Sequence, residues 1–551
     1  MLKLYKHTNL YKTFKKKKNH LLFCPKTTRI LRIADTFDSM LKKIVLAAVI
    51  AGSSVPGLAQ SVEEMEKILL FYGVSSPEEV DPYDVESLCD LLSHPLQINL
   101  VTPASLSGSG LLTTYQIASL TDYRNRHGDV MSYEELAEVD GFGKAAVERL
   151  RPFISLQGRK LSADDGDGGV NGTLDIKTSW KMKDIPSYGL RYKMKAGRQF
   201  SAGVALSRSS QADGIGPDAV AGNLCCDFRK TPGRVILGDF NARFGQGLTI
   251  WNGAFMTSLT TPDTFMKKPS GLSQPWSFTG SAALSGIAAD LTSGPFVFSA
   301  MLSVPGLKNV LDKPEALKYM PAINVAWLSR NGQVSITNVL TLSPGLSQRT
   351  AITGLDAALC IKGVNLFGEI SADWSAMKYK ALAGTRFQAG EHLDMAVQLR
   401  SYHGEQYGAA VGGDFSFGKR LQIYGKEGFG SSREMVTGSF TSDVSYYPVS
   451  KDPSDPWSLQ VKSQMVWDML LHPRWQIKIR ISERIRPWGH PFRTDFRTDV
   501  SYSLHPFDLT FRFNLIRCDG NGLLSYLEGS YKGQTLSLYL RQGFFFRRFT
   551  P

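Results

Sequence analysis

Past residue 59 the sequence contains no apolar run as long as about 18 residues, so no membrane-spanning helix is expected there. Cysteine is scarce. Of the six, Cys89, Cys225, Cys226, Cys360 and Cys518 follow residue 59, an odd set without metal-type spacing. That excludes a disulfide framework and a zinc site, and no metal or cofactor is expected. Catalytic motifs are missing too: there is no Gly-x-Ser-x-Gly, no His-Glu-x-x-His and no phosphate-cradling Gly-x-x-x-x-Gly-Lys followed by Ser or Thr, since Gly413–Lys419 runs into Arg420. His403 and His490 read as solvated loop residues, so no enzymatic activity is assigned. Outside its first 59 residues the chain also lacks a charge excess. The net charge is +13, but residues 1–59 hold 12 Lys/Arg against 2 Asp/Glu, and the remainder holds 51 against 48.

The basic segment has its own explanation. Met40-Leu-Lys-Lys leads into the apolar Ile44–Ile50 and then into Gly57-Leu58-Ala59 before Gln60. These are the three regions of a secretory signal peptide at 40–59. Residues 1–39 fit neither such a leader nor a folded domain, and are expected to be an over-extended start, disordered.

Residues 60–157 are patterned as helices. Met65, Ile68, Leu69 and Tyr72 recur at helical spacing, and Tyr83–Leu92 forms a second short stretch. Leu112 to Arg124 carries Ile117, Leu120 and Tyr123 on one face and stops near Gly128. Ser132 and Glu135 form a capping box, with Met131 and Leu136 as its hydrophobic staple, so a helix is expected to start near residue 133. It runs into Gly141-Phe142-Gly143, and a second helix follows over Ala145–Phe153. A Gly-apolar-Gly corner between helices is the core of a helix-hairpin-helix. An earlier corner, Ser107–Leu112, is a degenerate version.

From residue 158 to 551 the period changes to two. Leu174 and Ile176 alternate with Asp175 and Lys177; Tyr188, Leu190, Tyr192 and Met194 alternate with Arg191, Lys193 and Lys195. Trp475–Ile481 repeats the pattern with Lys478 and Arg480 facing inward, and Phe496–Leu504 and Phe507–Leu515 follow. A soluble sandwich also alternates. Here, however, one face carries full charges at successive positions and the other is rich in Trp, Tyr and Phe, which fits a wet lumen and interfacial girdles. The fold class is therefore multi-domain: a small all-α tandem helix-hairpin-helix domain, then a large antiparallel transmembrane β-barrel. At roughly 22–28 residues per strand with its loop, about 14–18 strands are expected.

Three stretches resemble secreted Bacteroidetes proteins that join a helix-hairpin-helix region to a barrel-like remainder. Asn99-Leu100 with Tyr123–Gly128 is similar to that family's N-L-N-T…YR-x-R-x-G run, although Val101 and the serine-rich corner depart from it. Glu138–Gly143 with Leu150–Ile154 resembles its second hairpin, and Gly238–Leu248 with Trp251 resembles its GDY…FGQGL…W strand. The tandem hairpins are also similar to those of competence-type DNA-uptake receptors. That resemblance implies a phosphate or DNA site at Gly141, Phe142, Gly143 and Lys144, where a helix N-terminus and an ammonium would meet the anion. The charge opposes it, since residues 60–157 hold 16 Asp/Glu against 6 Lys/Arg, whereas non-specific DNA affinity comes from cations. The function expected is an outer-membrane barrel, in contact with outer-membrane lipid, whose periplasmic helical domain gates the pore or meets a periplasmic protein partner. A DNA-binding component of an uptake system is the alternative.

Overall fold

The computed structural model describes residues 95–156 and most of 170–549, with a few positions between Lys67 and Leu92. The expected start (1–39) and signal peptide (40–59) lie outside the described residues.

Three hydroxyl residues fix three helix starts. Thr102, Thr113 and Ser132 sit in extended backbone and accept the N–H groups of Ser105, Gln116 and Glu135, which satisfies donors that a helix cannot pair internally. They open α1 (Pro103–Gly108), α2 (Thr114–His127) and α3 (Tyr133–Glu138). The last helix, α4 (Gly143–Leu150), runs into a 3-10 turn at Arg151–Phe153. Gly128 ends α2 at φ +92°. The box expected at Ser132 forms differently: the Glu135 carboxylate accepts the Met131 N–H at 2.7 Å and the Tyr123 hydroxyl at 2.6 Å. The staple does not form. Met131 is 76% exposed, and Val130 takes the inward position beside Leu136. Asn99 holds it there, bonded to both the N–H and the carbonyl of Val130. A two-residue parallel pair, β1 (Leu96–Gln97) with β2 (Ile154–Ser155), brings the ends of the helical region together over a core that includes Leu106, Leu120, Leu136 and Phe153.

The remainder is one closed sheet. It begins with β3 (Val170–Ser179), β4 (Ser187–Ala196), β5 (Phe200–Arg208), β6 (Ala219–Asp227) and β7 (Gly233–Arg243). The three-residue β8 (Gly271–Ser273) precedes β9 (Leu284–Ser293), β10 (Phe296–Ser303), β11 (Met320–Ser329), β12 (Gly332–Leu342) and β13 (Arg349–Ile361). Next come β14 (Val364–Asp373), β15 (Lys378–Gln388), β16 (Leu393–Tyr402), β17 (Gln406–Tyr424) and β18 (Gly430–Tyr446). The last are β19 (Leu459–His472), β20 (Trp475–Ile485), β21 (Phe492–Leu504), β22 (Phe507–Cys518), β23 (Gly520–Lys532) and β24 (Ser537–Phe549). Among the described residues the barrel thus has 22 strands, more than the 14–18 that loop-length arithmetic suggests. The excess arises from tight turns such as Gly294-Pro295, Arg330-Asn331 and Lys362-Gly363, which use two residues where the arithmetic assumed loops.

Side chains alternate between the two surfaces, as strand geometry requires. Leu174, Ile176, Tyr192, Ile481 and Phe511 are exposed on the outside, while Arg191, Lys193, Arg497 and Asp499 are buried on the lumen side. The exterior changes character at its ends. Exposed Phe296, Trp327, Trp475 and Phe507 lie near one rim, and Tyr319, Trp374, Tyr379 and Tyr446 near the other. Beyond the apolar band, the outward-facing row Ser463, Glu483, Thr494, Arg517, Asn521 and Arg548 runs in register across β19–β24. Every pairing of consecutive wall strands is antiparallel, β7 pairing directly with β9. With β8 set aside an odd number of strands remains, so β24 and β3, which meet at the closure, run in the same direction.

Candidate functional site

The corner singled out in the sequence is a single turn. Gly141 and Gly143 both have positive φ, +85° and +66°, a region that costs little only for glycine. Phe142 points into the helical core at 5% exposure, whereas Gly143 and Lys144 are exposed. Gln116 Nε2 donates to the Gly141 carbonyl at 2.9 Å, and a Cβ at Gly141 would lie 2.7 Å from the Tyr115 ring. Asp140 reaches the barrel, meeting Arg330 of the β11–β12 turn at 3.0 Å. The four predicted residues are therefore neighbours, and the partners seen around the corner are those of a packed turn. Gly143→Val should destabilise the helical region by about 1–3 kcal/mol, since a β-branched residue is strained at positive φ. Lys144→Glu should leave folding unchanged. In a gel-shift titration the wild type should bind duplex DNA no better than about 10⁻⁴ M at physiological salt. Micromolar binding abolished by Lys144→Glu contradicts that expectation.

The stronger site lies inside the barrel and is built by the Gly238–Leu248 stretch. This stretch is a wall strand only in part. At Gly238 (φ +93°) a Cβ would stand 2.3 Å from the Gly222 carbonyl oxygen, so only glycine permits so close an approach. Asp239 secures the bend by accepting the Gly222 N–H at 2.7 Å and the Ser285 hydroxyl. β7 then pairs with β8 through Asn241, Ala242 and Arg243 instead of continuing along β9. The turn that follows wraps around one carboxylate. Glu369, on the lumen face of β14 and 3% exposed, accepts the N–H groups of Gln246 (2.6 Å), Leu248 (3.0 Å) and Thr249 (2.8 Å) and the Thr249 hydroxyl (2.6 Å). Charge-assisted bonds of this kind are about twice as strong as neutral ones.

Other anchors spread the segment over much of the lumen wall. Gln398 of β16 donates to the Phe265 carbonyl at 2.9 Å, while Gln274 bonds Asn223 of β6 and Ser201 of β5. Within the segment the Gln246 side chain accepts the Lys267 N–H at 2.9 Å, and the Lys267 ammonium stands 5.0 Å from the Trp251 ring centroid. Burial brings the Lys267 pKa down to about 8, with Glu369 opposing that shift.

The helices dock on the same segment. Ser107 donates to the Pro269 carbonyl at 2.5 Å, and Lys268 Nζ to the Leu111 carbonyl at 3.3 Å. Arg234 of β7 ties three parts together. Its Nε meets Asp290 of β9 at 2.9 Å, and its Nη2 donates both to the Leu272 carbonyl and to Ala104 of α1, the latter at 3.4 Å. Asp290 also accepts the Ser299 hydroxyl at 2.6 Å. The arrangement is a luminal segment clamped to the wall and capped by helices at the rim with the two-residue turns. Sequence reasoning missed both key residues. Alternation in Val364–Asp373 could have placed Glu369 inside, but no local signal announces its partners, and none marks Arg234.

No protein-family model and no curated protein matches the chain. Solved structures that resemble it include the P pilus usher PapC translocation pore (9% identity, 68% of this chain and 96% of that one, TM-score 0.32). Wzi, an outer-membrane protein involved in group 1 capsule assembly in Escherichia coli and a carbohydrate-binding β-barrel, is similar at 12% identity over 78% and 94%, TM-score 0.31. OccAB2 of Acinetobacter baumannii is similar at 8% identity over 69% and 91%, TM-score 0.28. Likeness at this level leaves function to the chain's own residues.

Proposed function

We propose that the chain is an outer-membrane β-barrel with a pore or transport role, and that its helix-hairpin-helix region is a periplasmic gating or protein-interaction module. The observation that carries this reading is the luminal course of residues 244–252 and 261–273, held to the wall by Glu369 and to α1 by Arg234. Displacing the helices would pull on the segment that crosses the lumen. An apolar exterior bounded by aromatic residues supports membrane insertion. The connections support this sidedness. Helix-side turns such as Gly294-Pro295 are short, whereas connections 304–319 and 447–458 at the other rim are long, and barrels of this kind keep their short turns in the periplasm.

The test is reconstitution in planar bilayers of the chain with and without residues 60–157. Discrete channels, larger or longer-lived in the truncated form, are expected; absence of conductance from both forms contradicts the pore. The DNA-uptake alternative is favoured only by the exposure of Gly143 and Lys144, and the gel-shift titration decides it.

A further inference from the structure

The lumen faces of β19–β22 carry cations in an arrangement that folding alone does not reward. Register places Lys462 opposite Arg484 and Arg484 opposite Arg493, three cations in one row across three strands. A second row sets Arg480 directly opposite Arg497. Like charges at directly opposed positions destabilise a sheet. Carboxylates neutralise part of each row in place and have no charge to spare for the rest. Asp495 is bound by Arg493 at 2.9 Å, and Asp499 by Arg497 at 2.8 Å and Arg512 at 2.7 Å. Asp443, opposite Lys462 on β18, is taken by Arg400. Within the first row Arg484 Nε, and just beyond it Arg486 Nε, are buried donors with no hydrogen-bond partner among the described residues.

We infer that these two rows are an anion-binding strip at the mouth away from the helices, serving small oxyanions such as phosphate and carboxylates. Four residues separate the rows along a strand, roughly 13 Å, so an anion leaving one row comes within reach of the next. Guanidinium groups suit this chemistry because their planar fork binds two oxygens at once. The far wall of the lumen, on which residues 244–252 and 261–273 lie, has no comparable rows among the described residues. The strip therefore lines the side past which a solute would travel. This inference rests on the pore reading and gives the cargo a charge.

The test uses the full chain in planar bilayers under a potassium chloride gradient, with inorganic phosphate as the probe. Anion selectivity is expected, with chloride current reduced by millimolar phosphate. In Arg484→Gln/Arg493→Gln, phosphate block should weaken at least tenfold and the reversal potential should move toward cation preference. Heat-modifiable gel mobility verifies that this variant is folded. Channels that prefer cations, or a phosphate block unchanged by the double substitution, overturn the strip. Should no channel form, the pore reading fails separately, and calorimetric titration of phosphate into the folded protein in detergent decides the strip. Saturable binding lost in the double variant supports it, and its absence in the wild type overturns it.

Discussion

Glu369→Ala should release the luminal segment and enlarge the pore. One substitution removes the acceptor of three backbone N–H groups and one hydroxyl, all facing a side chain that is itself buried. Bonds to a charged group contribute roughly 1.5–3 kcal/mol each, less where lumen water can replace them. Even after that discount the turn at Gly245–Thr249 loses most of what holds it to β14. Single-channel conductance is expected to rise at least twofold, and limited proteolysis should cut within residues 244–273. Glu369→Gln, which keeps one acceptor oxygen, should fall between the two. Unaltered conductance and an uncut segment in the alanine variant would show that the lumen is set elsewhere.

Arg234→Ala should lower stability by about 3–5 kcal/mol, the usual penalty for stranding one member of a buried ion pair. Among the described residues Asp290 keeps the Ser299 hydroxyl alone, while Ala104 and Leu272 both lose a donor. The melting transition in detergent should drop, and α1 should become open to protease. A double variant, Arg234→Met with Asp290→Leu, separates the two consequences. With that ion pair made apolar it should recover much of the stability, yet leave α1 detached and the channel more open. Recovery of helix docking in the double variant would mean that Arg234 does not couple the helices to the lumen.

The helix start near residue 133 could be read because capping is local: Ser132 acts on a group three residues away. The wall strands could be read because alternation is local too, and Lys478 and Arg480 stand inside where the pattern puts them. What escaped depends on distant partners. Gly238–Leu248 reads as a strand with glycine interruptions, and its inward course is fixed by Glu369, some 120 residues onward. The staple at Met131 failed for the same reason, since Asn99, far back in the chain, selects Val130 instead. Strand number was misjudged because loops were assumed where the chain reverses in two residues, as at Lys362-Gly363, where both residues take positive φ (+51° and +82°).

The same-direction meeting of β24 with β3 has a consequence for biogenesis. Neighbours elsewhere in the wall can zip up as hairpins soon after they are made, but the final seam joins the two extremes of the sheet and must wait for the whole polypeptide. Its ladder is also of the slanted kind, slightly weaker per residue than an antiparallel one. Completion of this barrel is thus an all-or-nothing event at its least favourable joint. A chain truncated before Ser537 would retain nearly every hairpin and still be left as an open sheet with two unsatisfied edges.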